Sequence, residues 1–120
     1  MTEAAPLRGY LVAERGGGPV GVAVRAADTR MSGRTTAMCL LCHTAQAGSD
    51  VSLFTARRAG EAGRGGNTVG TYMCADLGCA IRARTEIPPW LRARDPDEVA
   101  AERTAELEQR VHGFLDSVLR

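Results

Sequence analysis

The 120-residue chain has no lysine, so all fifteen of its cations are arginine. This removes the phosphate-loop lysine of Walker-type nucleotide hydrolases, the ATP-pairing lysine of kinases and every Schiff-base mechanism. No apolar run approaches the eighteen or so residues of a membrane span, and residues 1–5 lead into no signal-peptide core. The expectation is therefore a cytoplasmic protein with no membrane partner, whose thiols meet a reducing medium and form no structural disulfides. Aromatic residues are scarce, at 4%, and Leu, Ile, Val and Phe together number only 23. That is close to the level at which burial alone fails to hold a chain. The net charge of +1 nevertheless argues against disorder. Something besides hydrophobic burial should hold the fold, and four cysteines are available to do it.

The length allows one ordinary domain plus an appendage. Residues 1–94 carry twelve Arg against seven acids (+5), and residues 95–120 carry three Arg against seven acids (−4), which together give the net +1. A basic body thus precedes an acidic tail, and arginine's planar fork suits phosphate or carboxylate surfaces. The body divides into short strands. Leu7 to Arg25 has period two, with Tyr10 and Val12 on one face, Val20, Val22 and Val24 on one face of the return run, and a loose glycine turn between. Ala26 to Arg34 is turn-like, and Thr35 to Leu41 forms a further short strand before two cysteines. Val51–Thr55 and Thr68–Met73 are two more strands, joined by a glycine-rich, arginine-bearing loop, Arg57 to Asn67, expected to be mobile.

A helical turn is expected after Cys79, ended by Pro88-Pro89-Trp90. Asp95-Pro-Asp-Glu98 has the form of an N-cap, a first-turn proline and a capping-box glutamate, so residues 95–120 are expected to form a separate C-terminal amphipathic helix. Ala100, Thr104, Leu107, Val111, Phe114 and Val118 follow helical spacing and form one seam. Ala100 and Thr104 are weak seam residues and Gly113 lowers helix propensity, so the helix is expected to dock on its own domain in a monomer rather than pair with a second copy.

Cys39-Leu-Leu-Cys42 and Cys74-Ala-Asp-Leu-Gly-Cys79 are two cysteine pairs separated by 31 residues, each placed where a strand ends in a tight turn. Four thiolates at tetrahedral reach suit one structural Zn²⁺, leaving no open position for water or substrate. Metal binding of this kind contributes on the order of 10 kcal/mol to folding, which would offset the thin core. Other readings of these residues are weaker. Cys39-Leu-Leu-Cys42-His43 spells a haem-attachment motif, but such attachment belongs to exported chains and leaves Cys74 and Cys79 without a role. A redox pair needs a βαβ unit that the pattern lacks. His43 could replace one thiolate, although with four cysteines paired its simpler role is at the surface or beside a ligand sulfur. No serine or histidine stands in a catalytic context, so no enzyme is expected.

The order Tyr10-Leu-Val, Val20-Gly-Val-Ala-Val-Arg25, Met38-Cys-Leu-Leu-Cys-His43, Val51-Ser-Leu-Phe54 and Gly70-Thr-Tyr-Met-Cys74, with Ala75-Asp-Leu-Gly-Cys79 after it, resembles the C-terminal treble-clef zinc-finger domain of elongation factor G-binding proteins, the FusB-type fusidic acid resistance family. The resemblance covers roughly residues 7–85. It implies a small treble-clef-like zinc finger, and with the β-hairpins and the long C-terminal helix read from the residues the expected fold is α+β, the finger occupying residues 1–94. The helix from Asp95 onward has no matched counterpart in the family. Cys39, Cys42, Cys74 and Cys79 match the family's zinc ligands. The implied function is binding of elongation factor G and modulation of its association with or release from the ribosome. The family's resistance proteins carry a helical domain ahead of the finger, whereas this chain begins close to the first hairpin, so factor binding rather than resistance is the expectation. The expected contact surface is His43, Phe54, Arg57, Arg58, Arg64 and Tyr72. The arginines also suit ribosomal RNA, the alternative partner, although few aromatic residues are available for stacking.

Overall fold

A computed structural model describes residues 8–27 and 32–119. Six strands and three helices follow in chain order: β1 (Arg8–Arg15), β2 (Gly18–Ala26), β3 (Thr36–Met38), β4 (Ala45–Ala47), β5 (Val51–Arg57), α1 (Gly60–Arg64), β6 (Thr68–Cys74), α2 (Cys79–Thr85) and α3 (Pro96–Leu119). An antiparallel four-stranded sheet has the order β1-β2-β5-β6, and β3 pairs with β4 in a small separate hairpin. Leu7, Arg30 and Arg120, ends or members of expected segments, lie outside the described residues.

The first hairpin is tighter than its three glycines suggested. Arg15 pairs with Gly18, so only Gly16 and Gly17 form the turn, and Gly16 and Gly18 take positive φ values of 42° and 134° that glycine adopts without strain. Tyr10 and Val12 do share a face, as their spacing required, but it is the solvent face, with exposures of 74% and 65%. The opposite face of the sheet carries Val24, Ala26, Phe54, Ala56 and Met73 into the core, together with all four cysteines. Helix α3 crosses this inner face and adds Leu107, Phe114 and Val118 to the same cluster, which is the docking that its weak seam implied.

The seam itself differs at its start. Val99 and Arg103 are buried where Ala100 and Thr104 were expected, so the first two turns are rotated by one position relative to the apolar pattern. Asp95 acts as N-cap, its Oδ1 accepting from the Asp97 N–H at 3.0 Å. The helix also stops where its last carbonyls find donors. Ala59 N–H donates to Val118 O at 2.8 Å, and the Arg58 guanidinium donates to Ser117 O at 3.0 Å. The segment from Arg57 to Asn67 is therefore not a free loop. It contains the one-and-a-half-turn α1, and a Cβ added at Gly63 would lie 1.7 Å from Arg58 O, so a side chain there is sterically excluded.

Candidate metal centre

Each half of the site is built by a tight turn, and the first aims backbone N–H groups at sulfur. In the first, β3 runs into Cys39, and the amides of Leu41 and Cys42 donate to Cys39 Sγ at 3.3 and 3.4 Å. The turn closes with His43 N–H on Cys39 O at 2.9 Å, and His43 takes φ = 55°, a left-handed conformation that costs a non-glycine residue about 1 kcal/mol. In the second, β6 ends at Cys74, Leu77 N–H donates to Cys74 O at 2.9 Å with φ = 57°, and Cys79 is the first residue of α2. Asp76 pins this turn, accepting from Gly78 N–H at 2.8 Å and from both Arg82 nitrogens at 2.7 and 3.0 Å. The Arg82 guanidinium, and after it the Gly78 amide, hold the Asp76 carboxyl down at about 2.

The two turns are brought together by β5 and β6. Their register pairs Val51 with Cys74, which returns the chain to within a few residues of the first turn. Leu40 N–H then donates to Tyr72 O at 2.9 Å and Ala75 N–H to Asp50 O at 2.8 Å. β1 contributes by omission: a Cβ at Gly9 would stand 2.2 Å from Leu77 Cδ1, so the missing side chain is the socket for a residue between the third and fourth cysteines.

Cys39 and Cys79 Sγ lie 3.6 Å apart, as do Cys42 and Cys74 Sγ, and all four sulfurs fall within 4.8 Å of one another in a fully buried cluster. A Zn–S bond of about 2.3 Å places the sulfurs of a regular tetrahedron about 3.8 Å apart, so the four fit one Zn²⁺. No pair is joined as a disulfide. Without a dication the thiols share their charge unequally. Cys42 is held far below the usual thiol range by hydrogen bonds from Cys39, Cys74 and Cys79, whereas Cys79 is pushed well up by its bonds to Cys39, Cys42 and Cys74, and Cys74 by its bonds to Cys39 and Cys42. A bound Zn²⁺ removes this conflict, because it stabilises four thiolates at once and releases the protons of the higher pair. The coordination sphere is then complete, with no place for a reacting water.

Around the sulfurs lies a shell of donors in which the sequence pattern showed no role for its principal member. Arg103, 7% exposed, passes between α3 and the site. One guanidinium nitrogen donates to Cys42 O at 2.9 Å and Thr44 Oγ1 at 2.8 Å. The other donates to Arg82 O at 3.1 Å, Ala83 O at 3.4 Å and Glu86 O, the terminal carbonyls of α2 and the residue after it. Arg110 adds a bond to Leu41 O at 3.0 Å, and Gln46 Nε2 donates to Cys74 Sγ at 3.3 Å. The only sign of this in the sequence is that Arg103 stands four residues after Val99 and four before Leu107.

The expected contact residues do not form one surface. Phe54 is 0% exposed in the core, and its side chain points away from solvent, a correction that follows from the strand alternation placing it opposite Leu53 and Thr55. Arg58 is committed to the end of α3. His43, Arg57, Arg64 and Tyr72 are exposed. His43 is held below the ordinary imidazole range, by partial burial first and by the Arg110 charge second, and it lies outside the four-sulfur cluster. Near it, Met38, Leu40, Tyr72 and Trp90 leave large apolar side chains in solvent, with Trp90 76% exposed. Two shallow hollows of about 150 and 180 Å³ lie on either side of Met38. No helix among the described residues is long and apolar enough to cross a membrane. No curated protein and no solved structure gives a significant match to the chain. Residues 2–118 match the family model described as FBP C-terminal treble-clef zinc-finger.

Proposed function

The chain belongs to the FBP C-terminal treble-clef zinc-finger family, and from that membership we propose that it is a non-enzymatic zinc module that docks on translation elongation factor G and modulates the factor's association with the ribosome. The metal, held by Cys39, Cys42, Cys74 and Cys79, shapes the docking surface and takes no part in chemistry, since four thiolates complete its coordination. The observation that carries the reading is the apolar patch of Met38, Leu40, Tyr72 and Trp90 around the first turn. Large exposed Trp, Tyr and Met side chains are the types that dominate binding energy at protein interfaces, and a monomer with a thin core gains nothing by leaving them in water. His43 lies within the patch, lining with Met38 and Trp90 one of its two hollows.

Purified zinc-loaded protein on a biosensor surface, presented with purified elongation factor G, tests the reading. Tyr72→Ala and Trp90→Ala should each weaken capture by about tenfold or more while leaving melting unchanged. Wild-type protein that does not capture the factor, or variants that capture it as well as wild type, would overturn the assignment.

A further inference from the structure

Arg15, Arg82, Arg94 and Arg110 are each held by a carboxylate, and Arg58 and Arg103 donate to backbone carbonyls. Arg8, Arg25 and Arg57 differ. They are exposed and have no partner among the described residues, and the register puts all three on the solvent face of the four-stranded sheet. Arg8 stands directly opposite Arg25, Arg25 opposite Thr55, and Arg57 is the next residue along β5 on that face. Like charges directly opposite destabilise an antiparallel pair. Among the described residues the only acid on this face of the strands is Glu14, six residues from Arg8 and so about 20 Å along β1. The acidic side of α3 lies beyond the other face of the sheet. Tyr10 follows Arg8 on the same face, and Tyr72 pairs with Leu53 at the other side of the row.

We propose that this solvent face of the sheet binds single-stranded RNA, with the arginine row on the phosphates and Tyr10 and Tyr72 against the bases. The arrangement distinguishes a nucleic acid from an acidic protein. Protein interfaces place apolar residues at the centre and charges on the rim, whereas here Arg25 and Arg57 stand on the two central strands, with Arg8, Tyr10 and Tyr72 on the edge strands β1 and β6. Beside them on this face stand Ala23, opposite Tyr10, and Gly70, opposite Thr55, which leave room for a splayed base to reach a tyrosine ring. A regular duplex offers no unstacked base to such a ring, so single strands are the fitting class. This face shares Tyr72 with the patch of Met38, Leu40, Tyr72 and Trp90 and extends away from it across β5, β2 and β1.

Fluorescence anisotropy of a labelled oligouridylate of about twelve nucleotides, titrated with the full-length zinc-loaded protein at several salt concentrations, is the test. Three phosphate contacts give a slope of log K against log salt of about −2, and Arg8→Ser with Arg25→Ser should reduce it to about −0.7. Tyr10→Ser should weaken binding about fivefold or more with the slope unchanged. These side chains are exposed, so circular dichroism and zinc content should match wild type. The double arginine variant should still capture elongation factor G, so failure of either proposal can be told from failure of the other. Absence of an anisotropy change at the lowest salt, full binding by the double variant, or displacement of the oligonucleotide as readily by polyglutamate or by duplex RNA as by unlabelled oligouridylate would each overturn the proposal.

Discussion

Replacing Arg103 by Met tests how the helix and the metal centre depend on each other. Methionine keeps most of the aliphatic stem in place but removes every donor. Cys42 O, Thr44 Oγ1 and Ala83 O are then left without the guanidinium at buried positions, while the Arg82 and Glu86 carbonyls are nearer solvent and can find water. An unsatisfied buried acceptor costs about 1–3 kcal/mol. Relaxation at three such groups brings the total to about 3–5 kcal/mol, the range for removing one member of a buried charged network. For a chain of this size that corresponds to a fall in melting temperature of about 12–20 °C. Because the same guanidinium fixes the Cys42–Thr44 turn, zinc affinity should fall about 10- to 100-fold, read as faster transfer of zinc to a chromogenic chelator. Arg103→Lys should lie between the two, since one ammonium cannot reach both the turn and the end of α2. Melting of Arg103→Met within about 3 °C of wild type, with unchanged zinc transfer, would show that the buried bonds contribute nothing and refute the reasoning.

Cys74→Ala should lose zinc and the folded circular dichroism spectrum together, because metal binding and folding are one event in a site of this kind; native ellipticity in the zinc-free variant would contradict this. Arg58→Ala should lower stability by about 1–2 kcal/mol through loss of the donor to Ser117 O, whereas exposed Arg64→Ala should change it by less than about 0.5 kcal/mol; equal melting shifts would count against the capping role. Deletion of residues 96–120 should expose the inner sheet face and destabilise the finger, while light scattering of the intact chain should give 12.7 kDa; a mass twice that, falling to the monomer after deletion, would mean that α3 pairs with a second copy.

The metal centre was legible because cysteine spacing is chemistry written directly into the chain, and the two large hairpins because period-two runs bounded by glycine admit few alternatives. Alternation alone does not say which face is buried, and that is why Phe54 was expected at the surface and Tyr10 with Val12 were not recognised as solvent-facing. Residues 60–64 carry two glycines and no apolar period, so α1 has no local signature. It exists because the start of β6 and the end of α3 position its flanks, with Arg58 N–H bonded to Asn67 O at 3.0 Å. The helix seam was misplaced at its first two turns for a related reason. Pattern reading assigns arginine to solvent, and only a partner built from distant segments, the carbonyls of Cys42 and of α2, makes its burial favourable.

The pairing of Val51 with Cys74 also dictates an order of assembly. Cys39 and Cys42 are local and can meet a metal ion in the unfolded chain, but Cys74 comes back to them only when β5 and β6 zip from their turn to their open end. The early event is therefore a two-sulfur encounter of low affinity, and the full site forms as the last rungs of the hairpin close over a loop of 31 residues. In refolding, the completion of zinc capture would thus serve as a clock for hairpin closure, its rate set by chain topology and independent of zinc concentration once the first pair is saturated.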